Sequence, residues 1–173
     1  MAICKLMSLD VPRYAFTRVK VPANTTAMQG NILVRGALSD TRGEYNVYAS
    51  SLVADRTTEF PGIIINQREE LLSDGRKPGG QPDPGDYTYT AGEVITIVEA
   101  HLDLIFEMTS DSYDGTAVKG QYLVPQGTAN LELTVSASIP SNVKVAFLIE
   151  RVTTYNTGLD LETAVQVRVV AGK

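Results

Sequence analysis

Three runs of alternating residues near the end of the chain constrain its fold more than anything else in it. Leu131, Leu133, Val135 and Ala137 alternate with Glu132, Thr134, Ser136 and Ser138. Val143, Val145, Phe147 and Ile149 then alternate with Lys144, Ala146, Leu148 and Glu150. Val165, Val167 and Val169 alternate with Gln166 and Arg168. A period of two sends one set to a core and the other to water or a partner. Such segments pack and present surface, and they carry almost no reactive groups.

Strand signals of the same kind cover Tyr14–Val21, Ile32–Leu38, Tyr45–Ala54, Gly62–Asn66, Tyr87–Thr90, Glu93–Ala100, Leu102–Ser110 and Gln121–Pro125. Val, Ile, Thr, Tyr and Phe dominate these runs, and Gly, Pro, Asn or Asp bound most of them. Leu102, Leu104, Phe106 and Met108 form an expected inward set. The reading is all-β, an antiparallel sandwich or barrel of about eleven short strands. Only Gln67–Leu72 has a helical pattern, and it is too short to exceed a turn or two. Ser73–Asp86 holds three prolines and four glycines. It is expected as one long, irregular, exposed loop.

The 173 residues suit a single β-rich domain over 1–173. Net charge is −5, and charged residues are only 20% of the chain. Nucleic-acid binding is disfavoured, because neutralising phosphates needs clustered Lys and Arg. Lys5, Asp10, Arg13, Arg18 and Lys20 interrupt the first 21 residues, so neither a secretion signal nor a membrane span is expected there. Cys4 is the only cysteine, which rules out an intramolecular disulfide.

Reactive groups are sparse. His101 is the only histidine; Asp103 lies two residues on, a spacing that does not give the buried, orienting contact of a catalytic triad. Cys4 lies in a terminus expected to be flexible, with no base positioned for it. Asp111-Ser-Tyr-Asp114-Gly115 lacks the alternating oxygen ligands of a calcium loop and reads as a tight Asp-Gly hairpin turn. Asp86–Val98 shares a tyrosine and a Gly-Glu step with trimeric dUTP-cleaving enzymes, whose carboxylate-rich motifs are missing here. No phosphate-cradling glycine motif occurs. The chain reads as a non-enzyme without metal or cofactor.

One further pattern spans Val118–Ala171. Val118, Gly120, Leu123 and Val124 open a strand. A later apolar strand ends at Glu150-Arg151 and runs into Thr153-Thr154, and Val167-Arg168 sits in a final strand. This order resembles the C-terminal β-module of head decoration, or cement, proteins of tailed bacteriophages. Gly30–Leu38 and Phe60–Asn66 fit a β-rich addition to it. The resemblance implies a virion protein, made in the host cytoplasm, that binds and stabilises the capsid surface. The implied partner is the major capsid protein, and the implied assembly a homo-oligomer, with a trimer preferred. It implies no catalytic residue.

On that reading 1–21 is an extended N-terminal arm. Lys5, Arg13, Arg18 and Lys20 against Asp10 make it basic in an acidic chain. Ile3, Leu6, Met7 and Leu9 would bury on the shell, and Arg13 and Arg18 would steer towards it. Deleting the first ten residues would then leave the fold intact. Ile105, Ala146 and Leu148 are apolar at outward positions, which suits an oligomer contact. Tyr87 and Tyr89, with Tyr45 and Tyr48, are candidate interface anchors. They also support the rival reading, a sugar-binding tail or adhesin module with a stacking platform. The absence of tryptophan weighs against that rival.

Overall fold

The computed structural model describes residues 4–8, 15–42, 45–65, 88–127, 130–156 and 161–172. Within them lie twelve strands. The first six are β1 (Cys4–Leu6), β2 (Phe16–Lys20), β3 (Ile32–Arg42), β4 (Tyr45–Ser51), β5 (Gly62–Ile64) and β6 (Val94–Glu99). The others are β7 (Ile105–Thr109), β8 (Tyr113–Asp114), β9 (Tyr122–Pro125), β10 (Leu133–Ser136), β11 (Val145–Asn156) and β12 (Leu161–Ala171). Helix among the described residues is confined to short 3-10 turns such as Ser110–Ser112.

The strands make two bodies. Five close into a barrel in the order β2-β4-β3-β5-β6, with β6 returning to β2. Seven form a sheet in the order β1-β7-β12-β11-β9-β10-β8. The fold is all-β, as the alternation demands. Two pairings are parallel rather than antiparallel, β2 with β4 and β8 with β10. Each joins strands that are not adjacent in sequence, so no turn residue announces it.

The barrel and the sheet share a core. Ile32, Ile63 and Val98 on the barrel strands pack with Phe106, Met108, Phe147, Ile149, Val165 and Val167 of the sheet. Their chain neighbours Leu33, Ile64 and Ile97 turn the other way and meet Val19, Ile95 and Tyr89 in the barrel interior. β3, β5 and β6 are therefore buried on both faces where they cross the sheet. That is why Ile32-Leu33 and Ile63-Ile64 are continuous apolar pairs rather than alternating ones. Gly62 belongs here for lack of space: a Cβ on it would lie 2.5 Å from Ile97 Cδ1.

Two long hairpins leave this core. β11 pairs with β12 from Val145↔Ala171 to Asn156↔Leu161, with a bulge between Ile149 and Arg151. The pairing of β12 with β7 ends at Ala164. Among the described residues, the Thr154↔Thr163 pair and those beyond it form a two-stranded ribbon. β3 and β4 make the other hairpin, with register shifts around Leu38.

Several expectations are corrected. The terminus at Cys4 is no loose tail: β1 pairs with β7 in the register Cys4↔Met108 to Leu6↔Phe106. Cys4 is fully buried and Leu6 packs on the shared core. Leu102 is 62% exposed, because the chain turns at Leu102-Asp103 and β7 begins only at Ile105. Ala146 is buried, since its small methyl is covered in mid-sheet where it pairs with Val170; Ile105 and Leu148 are half-buried. Asp111–Gly115 is not a hairpin. A 3-10 turn leads into β8, which joins β10 in parallel. The expected helix at Gln67–Leu72 and the loop Ser73–Asp86 lie outside the described residues.

Candidate functional site

A cleft of about 570 Å³ opens where the barrel meets the sheet. Val34 and Arg35 of β3 line it from the barrel, together with Glu99–Leu102 at the end of β6. Lys144, Val145 and Ala171 line it from the sheet, at the foot of the β11/β12 hairpin. Phe60, just ahead of β5, stands at its side.

Period two places Arg35 on the face of β3 that carries Leu33, and Glu99 on the face of β6 that carries Ile97. Both therefore continue the barrel-interior rows, and there they pair, Arg35 Nη1 to Glu99 Oε1 at 2.9 Å. Thr17 Oγ1 donates to the same carboxylate oxygen at 3.1 Å. The Arg35 guanidinium also lies over the Tyr48 ring, 5.3 Å from its centroid. Glu99 is thus held between Arg35 and Thr17.

Lys144 is placed by backbone bonds on both sides. Its N–H donates to Arg56 O at 2.8 Å, and its carbonyl accepts from Gly172 N–H at 2.8 Å. Its ammonium lies 4.2 Å from the centroid of the Phe60 ring and donates to Thr58 O at 3.3 Å. The loop that supplies these partners is stiffened by its own acids. Asp55 accepts from Thr57 N–H, Thr57 Oγ1 and Thr58 Oγ1. These bonds favour the ionised form and hold the Asp55 carboxyl below its ordinary pKa of 3.8, the Thr57 hydroxyl contributing most. Glu59 accepts from the N–H groups of Ala54 and Asp55, and Arg56 donates to Asn142 Oδ1 at 3.0 Å. The loop is thereby fastened to the turn that precedes β11.

His101 is half-buried in the turn after β6, its backbone N–H donating to the backbone carbonyl of Glu99 at 2.8 Å. Among the described residues no three His, Cys, Asp or Glu side chains gather as a metal set. The Cys4 thiol is pushed far up by burial, which removes it as a nucleophile. The cleft offers shape, apolar surface and charge.

The expected contact residues do not converge. Leu6 belongs to the core, while Met7 stays 47% exposed. Arg18 points outward from β2, on the face opposite Thr17 and Val19. Tyr89, expected at a partner surface, is instead 6% exposed and closed within the barrel, where it bridges to Ala27. Its position is dictated by the barrel interior, which needs a large side chain there. Ile3, Leu9, Arg13 and Tyr87 lie outside the described residues. Sequence reading missed Arg35, Phe60, Leu102 and Lys144 as a group. They come from four separate stretches, and no spacing joins them.

No protein-family model, no curated protein and no solved structure matches the chain.

Proposed function

We propose that the chain is a non-enzymatic virion protein that binds and stabilises a bacteriophage capsid from outside. The reading carries with it a homo-oligomer, with a trimer preferred, contacts to the major capsid protein, and no cofactor. The observation that supports it most is the β11/β12 hairpin. It runs past its sheet neighbours and holds Leu161 72% and Val152 39% exposed. A large apolar side chain held in water on this ribbon, as Leu161 is, serves contact better than it serves folding, and Val152 adds a partly exposed apolar face just below it. The order of residues over Val118–Ala171, which resembles the decoration module, lies in this same part of the fold.

Multivalency supplies the energetic logic. A grip of roughly 800 Å² per partner is a standard interface. Several such grips on one closed oligomer multiply through effective concentration. The test is co-sedimentation with capsids assembled from the major capsid protein of the same genome. The native chain should pellet with them, and a chain carrying Val152→Asp and Leu161→Asp should not. Leu161 is on the surface, so its replacement should move stability by less than about 0.5 kcal/mol. Val152 lies opposite buried Val165, so a melting curve must show that the double variant is folded. A native chain that stays in the supernatant rejects the function. A double variant that still pellets rejects the hairpin as the grip.

A further inference from the structure

We infer that the cleft between barrel and sheet is a docking site for an extended peptide, which sets an apolar side chain against Phe60 and Leu102 and a carboxylate against Lys144. This inference does not depend on the capsid reading, because it concerns a different surface and names only the chemistry of the occupant.

Three observations carry it. The first is the apolar rim. Phe60 is 54% and Leu102 is 62% exposed, and both stand on the same cleft, over a floor that includes buried Val145 and Ala100. A volume of about 570 Å³ has room for an anchoring side chain and the backbone beside it. The second is charge. The Arg35 charge is met by Glu99, but the described partners of Lys144 are a carbonyl and an aromatic ring, neither formally charged. An ammonium so placed favours a carboxylate set directly against it.

The third observation selects a peptide over a small acid. β3 pairs with β5 only at Ile32↔Ile63 and Leu33↔Gly62. The next residue of that partner strand is Pro61, which has no N–H to give, and its carbonyl is taken by Ala100 N–H at 3.0 Å. Beyond Leu33 no described strand pairs with β3 on that side. Backbone groups alternate sides: the Asn31 carbonyl accepts from Ile64 N–H of β5, and Val34 pairs with Ser51 of β4. The open edge towards the cleft is therefore at Arg35, and a guest strand can bond there as β5 does further back.

The test uses the full chain and the blocked hexapeptide acetyl-Gly-Val-Phe-Val-Asp-Gly-amide, followed by amide chemical shifts. At about 2 mM peptide, shifts should appear at Val34–Gly36, Phe60, Ala100–Leu102 and Lys144. Lys144→Gln should weaken this peptide by roughly fivefold and leave the affinity of its Asn analogue unchanged. Methylating the two valine amides of the peptide should abolish the shifts, since the guest strand loses its donors. No shifts, shifts elsewhere, or equal weakening of the Asn analogue would overturn the inference. So would the same shifts from phenylacetate alone, which mark a small-acid site. The same shifts on concentrating the chain without peptide would also overturn it, by showing that a second copy occupies the cleft.

Discussion

Gly30 rests directly against Ser112: a Cβ on Gly30 would lie 2.3 Å from Ser112 Cβ and 2.5 Å from its Oγ. Gly30 has φ +82°, where an added side chain is strained in any case. Ser112 Oγ donates to Gln29 O at 3.1 Å, so this contact ties the barrel to the turn that follows β7. Gly30→Ala should therefore cost about 2–4 kcal/mol, from overpacking and backbone strain together. Adding Ser112→Gly should recover the overpacking part and leave the backbone part. Urea unfolding of the two single variants and the double variant measures both, and a Gly30→Ala loss below about 0.5 kcal/mol would contradict the close approach.

β1 should behave as core. Cys4 N–H donates to Gln29 Oε1 at 3.2 Å, and Cys4 itself is fully buried. Removing the first eight residues should lower the melting temperature clearly, rather than leave it unchanged as a free arm would. The same burial should keep the thiol closed to a disulfide reagent in the native state and open it on unfolding. Fast labelling of the native chain would show that β1 detaches.

The Asp55 turn makes a prediction about acid. Its folded pKa is depressed, so its contribution is complete above the unfolded value of 3.8 and is lost as pH falls through the lower folded value. A carboxyl chemical-shift titration should place its midpoint below 3.8. Thr57→Ala removes the Thr57 hydroxyl and should raise that midpoint. A midpoint that stays put in Thr57→Ala would mean that the hydroxyl bond does not form in solution.

Phe147 is fully buried in the shared core, on the face of β11 that also carries Val145 and Ile149. Phe147→Ala should cost about 3–5 kcal/mol. The loss should appear as one cooperative shift in fluorescence and circular dichroism alike. Two separated transitions would mean that the barrel and the sheet do not share their packing.

The legibility of the chain follows from how many faces each strand buries. β11 and β12 have one clearly buried face near their base, so Val145, Phe147, Ile149, Val165, Val167 and Val169 could be read inward from alternation alone. β3 and β5 serve two cores, so period two vanishes there and the second body stayed hidden. Alternation also misled at Leu102, where a turn intervenes with Asp103 at φ +66°. The pairing of tyrosines misled at Tyr89, whose ring fills the barrel rather than a surface. The cleft was illegible for another reason. Arg35, Phe60, Glu99 and Lys144 meet only through the closure of the barrel and its seating on the sheet, and both depend on pairings remote in sequence.

The strands that face both ways have a consequence for how this chain tolerates change. Ile32 and Leu33, Ile63 and Ile64, Ile97 and Val98 form a partition between two compartments, and each compartment relies on it for a wall. A defect on either side is felt on the other, so neither compartment can loosen alone. In a library of random variants, survivors should be rarest at these six positions and commonest around Leu161. The molecule would then keep an invariant middle while its outer ribbon is rewritten for whatever it meets.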